Sequence, residues 1–186
     1  MTIHIKNMVC NRCITAVEDV FRNSEIDFVS VNLGWVDIST EISKNQLEKL
    51  NENLKKIGFE ILEDASQKQI ESIKKLILEK VQNLDIDEDF LLSKYLSEQL
   101  NKEYSSISKV FSQTENITLE QYFILQKIEK VKELLLYKEL NLTEISQKLG
   151  YKSVQHLSNQ FKKITGFSPT NFLNSKEKKR IALDKV

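Results

Sequence analysis

Apolar and polar residues follow two different rhythms in the first third of the chain. Residues 2–6 place an apolar side chain at every second position, which predicts a half-buried strand. Later stretches space their apolar residues three or four apart, as on one face of a helix. One such stripe consists of Leu47, Leu50, Leu54 and Ile57. Gly34 lies between two β-rich runs and predicts a hairpin, whereas Gly58 stands where a helix would end. The predicted elements are a strand at 2–6, a helix from residue 13, strands at 28–33 and 35–38, a helix over 47–57 and a strand at 59–62.

Beyond residue 64 the pattern predicts helices and no further strand. Apolar residues from 70 to 81 mark a helix that links the two parts of the chain. Residues 85–89 are mostly acidic and predict the start of the next helix. The helices predicted after that start cover residues 90–100, 105–113, 118–137, 143–149, 153–165 and 168–173.

Together the two patterns predict an α+β chain of two domains. The order βαββαβ over residues 1–64 is that of a ferredoxin-like domain. A linker helix over 65–84 leads to an all-α domain over 85–175, and residues 176–186 form a basic C-terminal tail. A chain of 186 residues is long enough for two small domains, each with a modest core.

Composition excludes several classes of protein. No apolar run exceeds four residues, whereas a membrane-spanning helix needs about 20. The first residues lack the basic start and apolar stretch of a secretory signal. Two cysteines are too few for a secreted disulfide scaffold, so we expect a cytoplasmic protein with reduced thiols. We find no Ser/His/Asp constellation, no glycine-rich phosphate loop and no paired catalytic carboxylates, so we expect no enzymatic activity.

The 27 basic and 27 acidic side chains cancel in number but are unevenly distributed. Residues 1–64 carry a net charge of −4, whereas residues 141–186, with nine basic and three acidic side chains, carry +6. A basic end on an acidic body indicates that the C-terminal part faces a polyanion. A lysine-rich solvated tail fits the same charges.

Residues 142–161 have the spacing of a helix-turn-helix. Apolar residues of both helices would face inward, and Gly150 would allow the turn between them. The inward residues are Ile145, Leu149, Leu157, Phe161 and Ile164. The outward face of the second helix offers amide and lysine side chains, which can hydrogen-bond base edges and neutralise phosphates. An ordinary helical hairpin with a polar face fits this pattern equally well, and residues 104–123 show a weak echo of the same arrangement.

Residues 145–151 and 161–172 resemble the C-terminal signature of AraC-type transcription regulators. The resemblance covers residues 85–175 and implies two helix-turn-helix units that are joined by a long helix. The first unit would be residues 91–114, and the joining helix 118–137. The resemblance implies that this domain binds double-stranded promoter or operator DNA. The first helix-turn-helix departs from the family in having no glycine in its turn.

The resemblance also assigns base-reading positions. In the second helix-turn-helix they fall on Val154, Gln155, Ser158 and Asn159, and in the first helix-turn-helix on Ser105, Ser108 and Lys109. We add Lys152, Lys162 and Lys163 as DNA-binding residues, the last two as phosphate contacts. None of these positions carries arginine, a common reader of guanine.

Two cysteines with Cys-x-x-Cys spacing lie between the first predicted strand and the first predicted helix. Thiolates of Cys10 and Cys13 can converge there on one soft metal ion, and the helix N-terminus would lower the pKa of both thiols. A redox pair, or two small half-buried residues, would show the same spacing. A thioredoxin-type motif usually carries a proline between its cysteines and sits in a larger fold, and neither feature is present here. The βαββαβ context favours a metal site over the other two interpretations.

Met8, Cys10, Cys13 and residues 56–59 resemble the motifs of heavy-metal-associated domains, and this resemblance covers residues 1–64. It implies that the two cysteines bind Cu(I) or a similar thiophilic ion while Met8 packs beneath the loop. Asn7 stands where that family usually has glycine. A metallochaperone or copper transporter is the kind of protein partner that the resemblance implies.

The combined prediction is a DNA-binding transcription regulator that responds to Cu(I) or a similar thiophilic metal. One alternative is a metallochaperone whose helical half docks a protein partner. Another is a regulator whose N-terminal domain binds protein and no metal. We expect Trp35 and Tyr151 to be packing residues, and His4 to be an exposed strand position.

Overall fold

The structure, a computed structural model, describes residues 1–175 and 180–183. Most of the predicted basic tail at 176–186 therefore lies outside the described residues. The chain divides into two compact units, Met1–Lys75 and Leu76–Val186. None of the helices in the described part of the chain is long and apolar enough to span a membrane.

The first unit contains a four-stranded sheet and the βαββαβ order that the sequence predicts. Its elements are β1 (Thr2–Lys6), α1 (Asn11–Asn23), β2 (Phe28–Asn32), β3 (Trp35–Ile38), α2 (Lys44–Lys56) and β4 (Glu60–Leu62). The strands lie in the order β2-β3-β1-β4, and all neighbouring pairs are antiparallel. The first unit is therefore a small α+β domain.

Alternation along β1 and helical spacing along α1 and α2 decide what the first core contains. Ile3 and Ile5 of β1 are buried, as are Phe21 of α1 and Leu54 of α2. Ile57, which was predicted to continue the apolar stripe of α2, is 48% exposed. This prediction was wrong because α2 ends at Lys56, so Ile57 already belongs to the C-cap.

Helix α3 (Ala65–Gln82) begins within the first unit. Ile70 and Ile73 of α3 are buried, and the Lys75 Nζ atom lies 3.7 Å from the centroid of the Trp35 ring. Trp35 is thus a packing residue, as predicted. His4 is half-buried rather than exposed, because it pairs with Trp35 and Leu62 on the two neighbouring strands.

The second unit continues with six further helices in its described part. They are α4 (Leu92–Leu100), α5 (Tyr104–Glu115), α6 (Leu119–Tyr137), α7 (Leu142–Lys148), α8 (Val154–Thr165) and α9 (Pro169–Asn174). These correspond to the predicted helices, with ends that differ by a few residues.

The acidic stretch at 85–89 does not begin a helix, contrary to the prediction. Ile86 is buried and forms an isolated parallel bridge with Leu149, and its amide donates to the Lys148 carbonyl at 3.2 Å. Burial of this one apolar residue holds the segment extended against the turn after α7. Helix α4 therefore begins only at Leu92.

Helices α5 and α8 are followed by the same sequence of local structures. Asn116 and Gly166 end them in the left-handed conformation, with φ of 59° and 81°. Thr118 and Ser168 then cap α6 and α9 by accepting hydrogen bonds from backbone amides. The weak repeat in the sequence thus corresponds to a structural repeat.

Helix α6 joins the two repeats and is buried along most of its length, including several charged residues. The Lys132 Nζ and Glu129 Oε1 atoms are 2.5 Å apart, and Lys130 Nζ lies 2.6 Å from Glu133 Oε1. Arg180 adds an ion pair to Glu133 at 3.0 Å. These pairs compensate the burial of charge in the centre of the unit.

Candidate nucleic-acid interface

The turn between α7 and α8 requires glycine at position 150. Gly150 has a φ of +65°, and a Cβ atom there would lie 2.6 Å from the Asp87 carbonyl and 2.7 Å from Ile86 Cγ2. The turn is thus packed against the 86–87 segment as well as bent. Both helices are capped, α7 by Asn141 and α8 by Ser153, whose side chains accept hydrogen bonds from backbone amides.

Helix α8 has one buried face and one exposed face. Leu157 and Phe161 are completely buried, and Phe161 also packs edge-on against Phe172. Ile164 was predicted to face inward but is 39% exposed. It lies in the last turn of α8, one residue before the helix ends at Thr165. The inward residues Leu157 and Phe161 are confirmed.

The DNA-binding residues predicted for the second helix-turn-helix lie together on the outward side of α8. Gln155, Asn159, Lys162 and Lys163 are exposed, and Lys152 is exposed in the turn just before the helix. Val154 and Ser158 are half-buried and flank this face. Within the described residues, Lys162 and Lys163 form no ion pair, so the face is electropositive.

Helix α5 has the same construction in the first repeat. Ile107 and Phe111 are completely buried, whereas Ser105 and Lys109 are exposed and Ser108 is half-buried. In the turn before α5, the missing glycine is replaced by Asn101, which has a φ of 51°. Asparagine tolerates this left-handed conformation better than most residues, so the turn forms without glycine.

A buried contact behind α8 was missed by sequence reasoning. The Tyr151 hydroxyl donates to Gln160 Oε1 of α8 at 2.7 Å, and Lys127 Nζ of α6 lies 3.8 Å from the centroid of the Tyr151 ring. Tyr151 is 4% exposed and Lys127 only 7%, so Tyr151 is a packing residue as predicted. Burial lowers the pKa of Lys127 to about 8. No local pattern marks a lysine as internal, because lysine is usually exposed.

Cys10 and Cys13 lie together at the start of α1 in the first unit. Cys10 is exposed, Cys13 is half-buried, and their Sγ atoms are 3.6 Å apart. Met8 is 5% exposed and belongs to the core beneath this loop. Asn7 has a φ of 70°, the left-handed conformation that the usual glycine would supply.

The electrostatics of the thiol pair differ from the prediction. Burial raises the pKa of Cys13 and outweighs backbone hydrogen bonds that act in the opposite direction. The expected lowering by the helix N-terminus is therefore wrong for this thiol. Across residues 1–175 and 180–183, no group of three or more His, Cys, Asp or Glu side chains is arranged to hold a metal ion. Any metal at this loop would thus rest on the two sulfurs.

Several solved structures are similar to part of this chain. The C-terminal domain of AraT, a response regulator from Geobacillus stearothermophilus, is 24% identical over 65% of this chain and 90% of that one, with a TM-score of 0.48. The C-terminal domain of the two-component response regulator yesN from Fusobacterium nucleatum is 29% identical over 55% of this chain and 98% of that one, with a TM-score of 0.47. The transcriptional regulator CdpR from Pseudomonas aeruginosa is 14% identical over 94% of this chain and 55% of that one, with a TM-score of 0.45.

No curated protein matches the chain. Residues 96–175, however, match a family model described as a helix-turn-helix domain. The match begins within α4 and extends through α9, so it includes both turns and both outward-facing helices. The second unit therefore contains a helix-turn-helix domain.

Proposed function

We propose that this protein is a sequence-specific, DNA-binding transcription regulator of the AraC type, with α5 and α8 as its reading helices. One observation carries the proposal. In the helix-turn-helix region, α8 is held by two completely buried residues on one side and exposes amides on the other, together with two lysines that form no ion pair with any described residue. Amides can hydrogen-bond the edges of bases in the major groove, and lysines neutralise phosphates.

The second reading helix is better equipped for DNA than the first. Helix α8 exposes Gln155, Asn159 and two lysines, whereas the predicted positions of α5 offer two serines and Lys109. We therefore assign most of the base selectivity to α8. Helix α5 contributes mainly a second contact along the duplex, which sets the spacing of the two helices on one face of the DNA.

We further propose that the first unit binds Cu(I) or a similar thiophilic ion through Cys10 and Cys13. The strand order β2-β3-β1-β4 with two helices supports the ferredoxin-like interpretation. Two sulfurs 3.6 Å apart, one of them exposed, are a donor set that suits Cu(I). Met8 is buried in the core and would pack rather than bind the ion.

The DNA proposal is tested by selecting duplexes from a random pool with the full chain, then measuring affinities by fluorescence anisotropy. Asn159→Ala should lower affinity about 5–150-fold and relax the preference at one base pair. Lys163→Ala should weaken binding to all sequences and reduce the salt slope by about 1. Equal, sequence-independent losses from both variants would show that α8 does not read bases.

The regulatory proposal is tested by repeating the titration with apo and Cu(I)-loaded protein at fixed salt. An effector changes DNA affinity only if it binds the competent and incompetent states differently. Typical coupling corresponds to a change of about 5–150-fold, and operator DNA must change the Cu(I) affinity by the same factor. Identical isotherms with metal bound would reduce the first unit to a metal store or a protein-docking module. Copper binding without any DNA binding would favour a metallochaperone instead.

A further inference from the structure

The two amides on the outward face of α8 are joined to each other. Gln155 and Asn159 are four residues apart, both are exposed, and Gln155 Nε2 donates to Asn159 Oδ1 at 2.9 Å. We propose that they act as one composite reader, which selects adenine over guanine at a single position of the operator. This inference rests on the proposed function, because it names the base that the same helix reads.

The internal hydrogen bond decides which groups are left for DNA. A side-chain amide offers one carbonyl acceptor and an NH₂ group with two donor hydrogens. The bond uses one hydrogen of Gln155 and one lone pair of Asn159, so the Gln155 carbonyl and the Asn159 NH₂ group remain open. If both amides rotate by half a turn, the two residues exchange roles. The pair still presents one acceptor beside one donor.

Among the four bases taken singly, only adenine presents an acceptor next to a donor in the major groove. Adenine presents the N7 acceptor next to the N6 amino donor, so each can bond one half of the pair. Guanine presents two acceptors, N7 and O6, and its O6 would face the open carbonyl of the pair. Cytosine offers only a donor there, and thymine only an acceptor beside its methyl group.

The rest of α8 does not compete for guanine at this place. Arginine, a common guanine reader, is absent from both α5 and α8. Lys162 and Lys163 lie further toward the C-terminal end of α8, beyond the turn that carries the amides. The reading position of α8 is therefore occupied by the amide pair.

The pair is also held in place before it meets DNA. Gln155 is the second residue of α8, and its helical turn is fixed by the Ser153 cap and by Leu157, which is completely buried. The bond between the amides orients two side chains that would otherwise rotate freely. Removal of either amide frees the other, so the two residues should behave as a unit in mutational tests.

The test uses the full chain and an operator that it has selected from random duplexes. Fluorescence anisotropy compares the A·T pair at the position that responds to Asn159→Ala with G·C at the same place. Two modified bases each remove one of the hydrogen-bonding groups of adenine. 7-Deazaadenine lacks the N7 acceptor, and 2-aminopurine lacks the amino donor at position 6. We expect G·C to weaken binding about 5–150-fold, and each modified base to weaken it to a similar or smaller extent.

The variants Gln155→Ala, Asn159→Ala and the double variant should each lose the preference for A·T to about the same extent. Lys163→Ala is the matched control on the same face, and should weaken binding to the A·T and G·C operators equally. Circular dichroism should show native helix content for all four variants, because these side chains are exposed.

Two results would overturn the composite reader while leaving DNA binding intact. One is selection of guanine at the position that responds to both amides. The other is additive losses, in which the double variant loses the product of the two single effects. A chain that selects no sequence at all would overturn the proposed function together with this inference.

Discussion

Replacing Lys127 by methionine should stabilise the second unit near neutral pH. The ammonium group of Lys127 lies 3.8 Å from the Tyr151 ring centroid and 5.4 Å from that of Phe123, and the residue is 7% exposed. No ion pair to it occurs among the described residues. Lys127→Met removes the charge but keeps an unbranched side chain that fills the same space.

The size of the effect follows from the pKa. Burial lowers the pKa of Lys127 from 10.5 to about 8, which corresponds to a cost of about 3 kcal/mol for keeping the ammonium at neutral pH. Attraction between the charge and the two rings offsets about 1–2 kcal/mol of that cost. The variant should therefore unfold with a free energy about 1–2 kcal/mol higher than the wild type at pH 7.

The sign of the pH dependence is also determined. The folded pKa lies below the unfolded one, so the unfolded chain binds more protons between pH 8 and 10.5, and stability rises with pH in that window. From pH 7 to 9.5 the cost of burial falls by about 2 kcal/mol before the ring attraction is counted. As the pH rises, the free energy of unfolding of the wild type should approach that of the Lys127→Met variant.

The assay is urea unfolding at several pH values, followed by circular dichroism of the helices. Trp35 is the only tryptophan and lies in the first unit, so its fluorescence reports that unit separately. Lys94→Met, at an exposed position of α4, is the control and should follow the wild-type pH dependence. If Lys127→Met and wild type show the same dependence on pH, Lys127 is not buried as an ammonium and the reasoning fails.

Three further variants test other parts of the structure. Gly150→Ala should destabilise the chain by about 2–4 kcal/mol in urea unfolding. The new Cβ atom would clash with the backbone of Asp87, and the positive φ would strain an alanine. Gly166→Ala has a positive φ but open space, so it should cost only about 1 kcal/mol, and equal losses would show that the contact at Gly150 does not matter. Cys10→Ser and Cys13→Ser should each abolish Cu(I) binding in a competition assay with a colorimetric chelator. Met8→Leu should bind Cu(I) nearly normally, because Met8 packs in the core. Cu(I) binding by the Cys10→Ser/Cys13→Ser double variant would show that the two thiols are not the binding site. Arg180→Ala should lower the free energy of unfolding by about 1–2 kcal/mol, because Glu133 loses a charged hydrogen bond, and an unchanged midpoint would mean that Arg180 does not hold this contact in solution.

Local periodicity accounts for what the sequence could determine about the fold. The alternation over residues 2–6 and the helical spacing of Leu157 and Phe161 predicted strands, helices and buried faces that the structure contains. These features depend on which side of an element is apolar, and that information lies within a few neighbouring residues. The same holds for the outward position of Gln155 and Asn159 on α8.

The features that local patterns did not predict depend on residues distant in the chain. Ile86 lies within an acidic run that resembles a helix start, but its pairing with Leu149 makes the segment extended. The pKa of Cys13 is raised because burial in the folded domain outweighs the backbone hydrogen bonds that lower it. In both cases a tertiary neighbour overrides a local preference.

What the sequence by itself determined is thus the order of the elements, the faces that they bury and the residues that they leave exposed. Only the tertiary structure decided that Ile86 pairs with Leu149, that Gly150 is enclosed by the 86–87 segment and that Lys127 is internal. The physical reason is that periodicity assigns a residue to a face, whereas hydrogen-bond partners, steric room and the cost of a buried charge depend on atoms that the chain brings together only when it folds.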